Sequence, residues 1–304
     1  MRVRRRRSPL LGTVALLVIA GCGLPTADRA GEPDVSATPA ATTVVVPASA
    51  GVTVAGVTAN PTVALAPPSI SGGAEATTTA IRLEPTTVGA VCDLETIAAV
   101  AARHPEAGQL IVTRTPSWSS TTGVLDVAIR SGGGWVCQRG GQVAMVGRTG
   151  TRPLAERRSG DGTAPAGVFP LGTTTAWDGQ AFQFFGNGAD PGVRGVYRAV
   201  QPGDCWGATP GRSTYNHLYR SSAGSCPSPD EYLPSITGSY VHAAVIGANN
   251  EPEVSGDAPG ETPFAAAIFL HRHSYTAGGA VKPTSGCVSL AIEDLVPTLA
   301  LIDP

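Results

Sequence analysis

The chain has 304 residues, 42% of them hydrophobic and 14% charged, with 38 Gly, 26 Pro and a formal charge of −2. At roughly 100–200 residues per domain this allows one or two folded units, and so little charge excludes a charge-rich disordered protein. Arg2, Arg4, Arg5, Arg6 and Arg7 crowd the N-terminus, and without those five the charge falls from −2 to −7, which excludes nucleic acid as a partner recruited by phosphate neutralisation.

Residues 10–20 follow the arginines and are mostly apolar, about half of the ~20 that span a bilayer. A basic start and a short apolar stretch describe an export leader. The stretch ends Ile19-Ala20-Gly21-Cys22, which resembles the bacterial lipobox. That resemblance implies a leader over 1–22 and a diacylated Cys22 as the new N-terminus. The protein is then expected in the cell envelope, held by its lipid at the outer face of the cytoplasmic membrane.

Residues 23–87 are dominated by Ala, Thr, Pro, Val and Gly, without an aromatic residue. Small side chains broken by prolines leave no core-facing period, so the segment is expected to be a disordered tether. Fully extended as polyproline II it reaches about 200 Å.

Folding is expected from residue 88 onward. Asp93 is placed to cap a short helix in which Leu94, Ile97, Ala98 and Ala101 recur at helical spacing. Runs of strand character follow at 110–113, 124–129, 135–138, 143–146, 182–185, 196–200, 240–246 and 265–273, separated by Gly, Pro, Asn, Asp and Ser. A last apolar stretch, 292–302, reads as a helix despite Pro297, a residue that disturbs a helix beyond its first turn. The expected class is mainly β with few helices.

Six cysteines are present: Cys22, Cys92, Cys137, Cys205, Cys226 and Cys287. In an oxidising compartment paired thiols form disulfides. With Cys22 on lipid, proximity favours Cys205 with Cys226 and Cys92 with Cys137, although four cysteines allow three connectivities. Cys287 is left over, and an unpaired thiol outside the cytoplasm directs attention to nucleophilic chemistry.

Residues 265–273 read Ala-Ala-Ala-Ile-Phe-Leu-His-Arg-His. Strand alternation puts Phe269, His271 and His273 on one face and Ile268, Leu270 and Arg272 on the other. A Gly- and Pro-containing loop leads to Thr284-Ser285-Gly286-Cys287-Val288-Ser289-Leu290, returning Cys287 towards His271. A thiol of ordinary pKa is only a few per cent thiolate at neutral pH, so a nucleophilic Cys needs a neighbouring base. An imidazole supplies it and later returns the proton to a leaving amine.

Ser285-Gly286-Cys287-Val288, preceded by His271 at the end of an apolar strand, resembles the signature of the YkuD-type L,D-transpeptidases. The segment Gly160-Asp161-Gly162-Thr163-Ala164-Pro165-Ala166-Gly167-Val168-Phe169-Pro170-Leu171 is similar to the TPxGxF-like hairpin of that catalytic domain, and Tyr215-Asn216 and the 240–246 strand resemble its actinobacterial branch. The commoner motif carries a His between Ser/Thr and Gly; here Ser285 directly precedes Gly286.

The resemblance implies a YkuD-like β-rich catalytic domain over 143–304, preceded by a small N-terminal extension over 88–142. It implies that Cys287, ionised by His271, attacks the third residue of a peptidoglycan tetrapeptide stem, expels D-Ala and passes the acyl group to a neighbouring stem's side-chain amine, making a 3→3 cross-link. Gly286 and Ser285 belong to the oxyanion turn, with the Gly286 and Cys287 amides as donors. The Arg272 carbonyl orients His271. Asn216, His242 and His273 are candidate substrate contacts. No metal or organic cofactor is implied. Two other readings stay open: a catalytically inactive wall-binding lipoprotein that keeps the fold, and a zinc peptidase in which His271 and His273 ligate the metal with His242 or Cys287, although no H-E-x-x-H motif is present.

Overall fold

The computed structural model describes residues 91–304 and the backbone of one N-terminal strand, β1 (Thr13–Ala20). Cys22 and the tether expected over 23–87 lie outside the described residues. The first part of the chain gives α1 (Leu94–Ala101), β2 (Ala107–Thr115), β3 (Thr122–Ser131), β4 (Gly134–Met145), β5 (Thr151–Pro153) and β6 (Ala164–Pro170). Short strands follow: β7 (Thr174–Thr175), β8 (Ala181–Phe182), β9 (Phe184–Gly186), β10 (Tyr197–Ala199), β11 (Asp204–Trp206), β12 (Leu218–Arg220) and β13 (Glu231–Tyr232). The C-terminal part contributes β14 (Ala243–Val245), β15 (Phe269–Arg272), β16 (Ser274–Tyr275), β17 (Val281–Lys282), β18 (Val288–Leu290) and α2 (Ile292–Leu301).

The fold is mainly β. One large sheet runs β10-β9-β14-β15-β18-β4-β3-β2-β1-β6-β5, flanked by a three-stranded sheet β12-β11-β13 and the hairpins β16-β17 and β7-β8. β1 lies between β2, to which it is parallel, and β6, to which it is antiparallel, with Leu16 in register with Ile111 and Phe169. The apolar stretch of the expected leader therefore occupies a strand position here. An unbroken apolar run without Gly or Pro satisfies a sheet interior as well as it satisfies an export leader, and periodicity does not distinguish the two.

α1 begins where expected, with the Asp93 carboxylate accepting from the Thr96 amide at 3.0 Å. Its buried face is Ile97, Val100 and Ala101, while Leu94 is 42% exposed; the apolar stripe begins at Ile97, takes in Val100 and leaves Ala98 facing outward. The strands expected at 135–138 and 143–146 are one strand, β4, which also runs through the boundary expected at 142/143. The extension and the remainder thus share a sheet. Register shifts opposite Asp126 mark a bulge, and its buried carboxylate accepts from the Gly141 amide at 2.8 Å and from Arg114 at 2.7 Å.

Cys92–Cys137 and Cys205–Cys226 are disulfides, and Cys287 is a free, buried thiol. The first bridge ties the start of α1 to β4. The second closes the loop that leads from β11 past β12 towards β13.

Pro297 does not end α2, which continues to Leu301 with Leu295, Thr298 and Leu299 buried. The hydrogen bond that proline forgoes is the one to the carbonyl of Glu293 in the first turn, and packing of the apolar face holds the helix together. Leu295 and Leu299 join Leu270, Val288 and Leu290 in one core. On the opposite face Phe269, Phe185, Trp206, Tyr240 and Cys287 form a second. Phe269 and Leu270 are neighbours in sequence and belong to different cores, as strand alternation requires.

Candidate active site

Parallel pairing of β15 with β18 sets His271 opposite Ser289 and Leu270 opposite Val288. Two residues before Ser289 on the same face stands Cys287, beside Phe269. The fifteen-residue connection between β15 and β18 folds back as the β16-β17 hairpin, so the sheet register brings the two side chains to one cavity. That cavity measures about 250 Å³ and includes His271, Ser285, Gly286 and Cys287 in its wall, together with Glu231, Tyr240, Lys282 and Thr284.

The turn that carries Cys287 is fixed on several sides. Thr284 donates from Oγ1 to the Cys287 carbonyl at 2.7 Å and accepts from the Gly286 amide at 3.1 Å. Its backbone exchanges hydrogen bonds with Val146 and Arg148 beyond the end of β4. The Gly/Pro-rich segment expected as a hairpin is a loop leading into the single strand β6, parallel to β5. Gly286 has φ +150°, and a Cβ there would stand 2.9 Å from the Thr163 carbonyl oxygen, just before β6. Gly286→Ala is therefore expected to cost roughly 1–3 kcal/mol of stability; unchanged urea unfolding would contradict this role. In this state the Gly286 N–H is directed at Thr284 Oγ1, so the amide expected as an oxyanion donor is already engaged.

The sulfur of Cys287 donates to the Ala267 carbonyl at 3.2 Å and accepts from the Phe269 amide at 3.4 Å. Ala267 is an alanine at φ +55°, a conformation that side chains rarely adopt and that is found at sites where surrounding structure imposes it. The strand expected from 265 consequently begins only at Phe269, because residue 267 turns its carbonyl to the thiol. Its amide is held by Asn216 Oδ1 at 2.9 Å.

His271 is buried, with Nδ1 2.6 Å from the Arg272 carbonyl oxygen. Donation from Nδ1 fixes the tautomer and leaves Nε2 as the basic nitrogen. Tyr240 packs edge-on to the imidazole at 5.3 Å and donates its hydroxyl to Glu231 Oε2 at 2.6 Å. Tyr240 reaches this position because Ser239–Val241 forms a 3-10 turn and only Ala243–Val245 is strand, which shortens the strand expected over 240–246.

Burial dominates the electrostatics. It pushes the Cys287 thiol up to about 12, assisted by the Glu231 carboxylate and opposed by the Phe269 amide and the Arg157 guanidinium. It pushes His271 down to about 4, against the pull of the Arg272 carbonyl. Glu231 and Tyr240 are both raised, first by burial. Thiol and imidazole are thus both neutral at neutral pH.

Arg157 stands behind the turn, only 2% exposed. Its Nη1 donates to the Phe264 carbonyl at 3.0 Å, its Nη2 is 3.6 Å from Asp161, and Nη2 is 3.3 Å from where a Gly286 Cβ would lie. It is a buried cation that favours the thiolate. Arg157, Glu231, Tyr240, Lys282 and Thr284 are site residues that the sequence motifs do not single out. Thr284 is adjacent to the Cys287 motif, and Tyr240 opens the 240–246 segment.

Asn216, His242 and His273 are not in the cavity wall. Asn216 is buried at φ +57° and its amide is spent on Trp206, Ala267 and the Asn249 carbonyl; it braces the loop that presents Ala267. His242 lies 3.3 Å from the Tyr197 hydroxyl, and the His273 ring bonds Ser289 Oγ at 2.9 Å. The Arg272 side chain lies over Tyr275 at 5.5 Å, so its contribution to the site is its carbonyl. Among the described residues no group of three or more His, Cys, Asp or Glu side chains is arranged to hold a metal ion, and the ligand set named for zinc does not converge.

Comparison of the chain with family models, with curated proteins and with solved structures returned no match.

Proposed function

We propose that this protein is a cysteine acyltransferase of the L,D-transpeptidase type, acting on peptidoglycan stem peptides. The observation that carries the reading is the free thiol of Cys287 sharing a cavity with His271, whose Nδ1 is tied to the Arg272 carbonyl. The motif around Cys287, the Gly/Pro-rich segment before β6 that lies against Gly286 and the lipobox-like residues up to Cys22 in the sequence add to it. On this reading a lipid on Cys22 holds the protein at the outer face of the cytoplasmic membrane.

In the first half-reaction Sγ attacks the carbonyl of the third stem residue while His271 Nε2 takes the thiol proton. The C–N bond breaks, the proton passes to the departing D-Ala amine, and a thioester remains. A stem amine then attacks the thioester, His271 takes its proton and returns it to the sulfur as the C–S bond breaks. At a thiol pKa near 12, free ionisation at pH 7 costs about 7 kcal/mol. Proton transfer therefore accompanies attack and does not precede it.

Incubation with a disaccharide-tetrapeptide is expected to release D-Ala and to yield a 3→3 dimer, read by mass spectrometry. Absence of both products from folded protein would contradict the proposal. A second reading, an inactive wall-binding lipoprotein, is favoured by the resting hydrogen bond from Sγ to Ala267. It requires stem binding without release, which the same incubation distinguishes.

A further inference from the structure

A second cavity, of about 380 Å³, has Trp118, Thr151, Arg152 and Glu156 in its wall and shares no wall residue with the Cys287 cavity. Its size is that of a small-molecule site. The loop from Gly147 to Thr151 creates it. At one end Gly147 is bridged to Thr284, and at the other the Thr151 amide donates to the Trp118 carbonyl at 2.8 Å. Between them Gly150 has φ +87°, and a Cβ there would collide with the Trp118 carbonyl, so a glycine is what lets the loop close on residue 118. The side chains around the cavity lack partners. Arg152 and Glu156 are exposed and enter no ion pair among the described residues. Trp118 is partly exposed, and no aromatic ring or cation of the described residues stacks on it. The Thr151 hydroxyl is buried without a hydrogen-bond partner, the kind of group that a bound molecule completes.

One cation, one anion, a hydroxyl and an indole offer donors and acceptors without net charge. That set does not select an ion. It suits a neutral ligand rich in hydroxyls, each of which both donates and accepts, with an apolar ring face to lie on the indole. We propose that this cavity is a carbohydrate subsite, in which a pyranose ring lies on Trp118 while its hydroxyls accept from Arg152 and donate to Glu156. Resting on the function proposed above, the sugar belongs to the glycan strand from which the stem peptides hang. The loop from Gly147 to Thr151, tied to Thr284 at one end and to Trp118 at the other, then couples the hold on the strand to the turn that carries Cys287.

Binding is measured by calorimetry on full-length Cys287→Ala protein, so that turnover plays no part, with chitotetraose, a neutral tetramer of N-acetylglucosamine, as the probe. Saturable binding is expected, its affinity changing less than about twofold between about 50 and about 500 mM salt, as a neutral ligand requires. In the same background Trp118→Ala is expected to weaken binding at least about tenfold. Arg152→Ala, which removes an exposed side chain and leaves the fold intact, is expected to weaken it about fivefold. No saturable binding, an affinity that follows salt, or binding unchanged in either variant would overturn the subsite. Displacement of the tetrasaccharide by a stem tetrapeptide would also overturn it, because the two cavities are separate. Absence of binding, combined with D-Ala release by the protein that retains Cys287, would overturn the subsite and leave the enzyme standing. The expected binding, combined with no D-Ala release by that protein, would overturn the enzyme and leave the subsite standing.

Discussion

Cys287→Ala is expected to lose D-Ala release and cross-link formation by at least about a thousandfold, because no other group in the cavity supplies a nucleophile of comparable strength. Stability should change little by comparison. The substitution removes one buried sulfur from the cluster around Phe269, Trp206 and Tyr240, a loss of about 1 kcal/mol. Activity and stability therefore separate: circular dichroism and urea unfolding should report a folded protein, while product analysis reports none. Retained turnover in this variant would remove Cys287 from the mechanism.

His271→Gln is the second large effect. Loss of the base should lower kcat/KM by about 10²–10⁴-fold, and the same variant has a distinct signature in stability. The His271 imidazole is held neutral, with its pKa moved from 6.5 to about 4. Between those values the unfolded chain binds a proton that the folded protein does not, so this contribution is complete above pH 6.5 and is lost as pH falls towards 4, reaching about 3 kcal/mol. His242 and His273 are also lowered by burial, and against their own burial Asp93, Asp161 and Asp230 are held low by hydrogen bonds, with Arg114 assisting at Asp93 and Arg157 at Asp161. Those of His242 and the three carboxylates act in both proteins and cancel in the comparison, whereas His273, whose charge helps to lower His271, is coupled to the site. From pH 7 to pH 5 the parent should lose about 2 kcal/mol more than the variant in urea unfolding. Parallel losses would show that the imidazole is not buried in its neutral form.

The sequence made legible what depends on short-range chemistry. Asp93 announces α1 because its carboxylate needs only the Thr96 amide, three residues away. The alternation of Phe269, Leu270 and His271 follows from the two-residue period of a strand, and it assigns each side chain to the correct face. Position along the chain also favoured the two disulfide pairings that are present. Tertiary decisions were not visible. Ala267 reads as strand, yet its amide is claimed by Asn216 from a loop 51 residues earlier and its carbonyl by Cys287. Tyr240 reads as strand, yet a 3-10 turn delivers it to Glu231 and His271. Asn216, taken as a substrate contact, is a buried brace because a side-chain amide with three backbone and indole partners nearby is worth more to the fold satisfied than exposed. Arg157 carries no local signal at all: it becomes a site residue only because the loop between β5 and β6 folds against Gly286.

The most direct measurement exposes the full chain to a carbapenem, whose strained carbonyl acylates an activated thiol, and follows it by intact-mass and peptide mapping. The account predicts one adduct per chain, carried by the peptide that contains Cys287, and no adduct on folded Cys287→Ala protein. An unmodified folded parent, or an adduct mapped to any other residue, would contradict the central claim that His271 activates Cys287 as the nucleophile of this cavity.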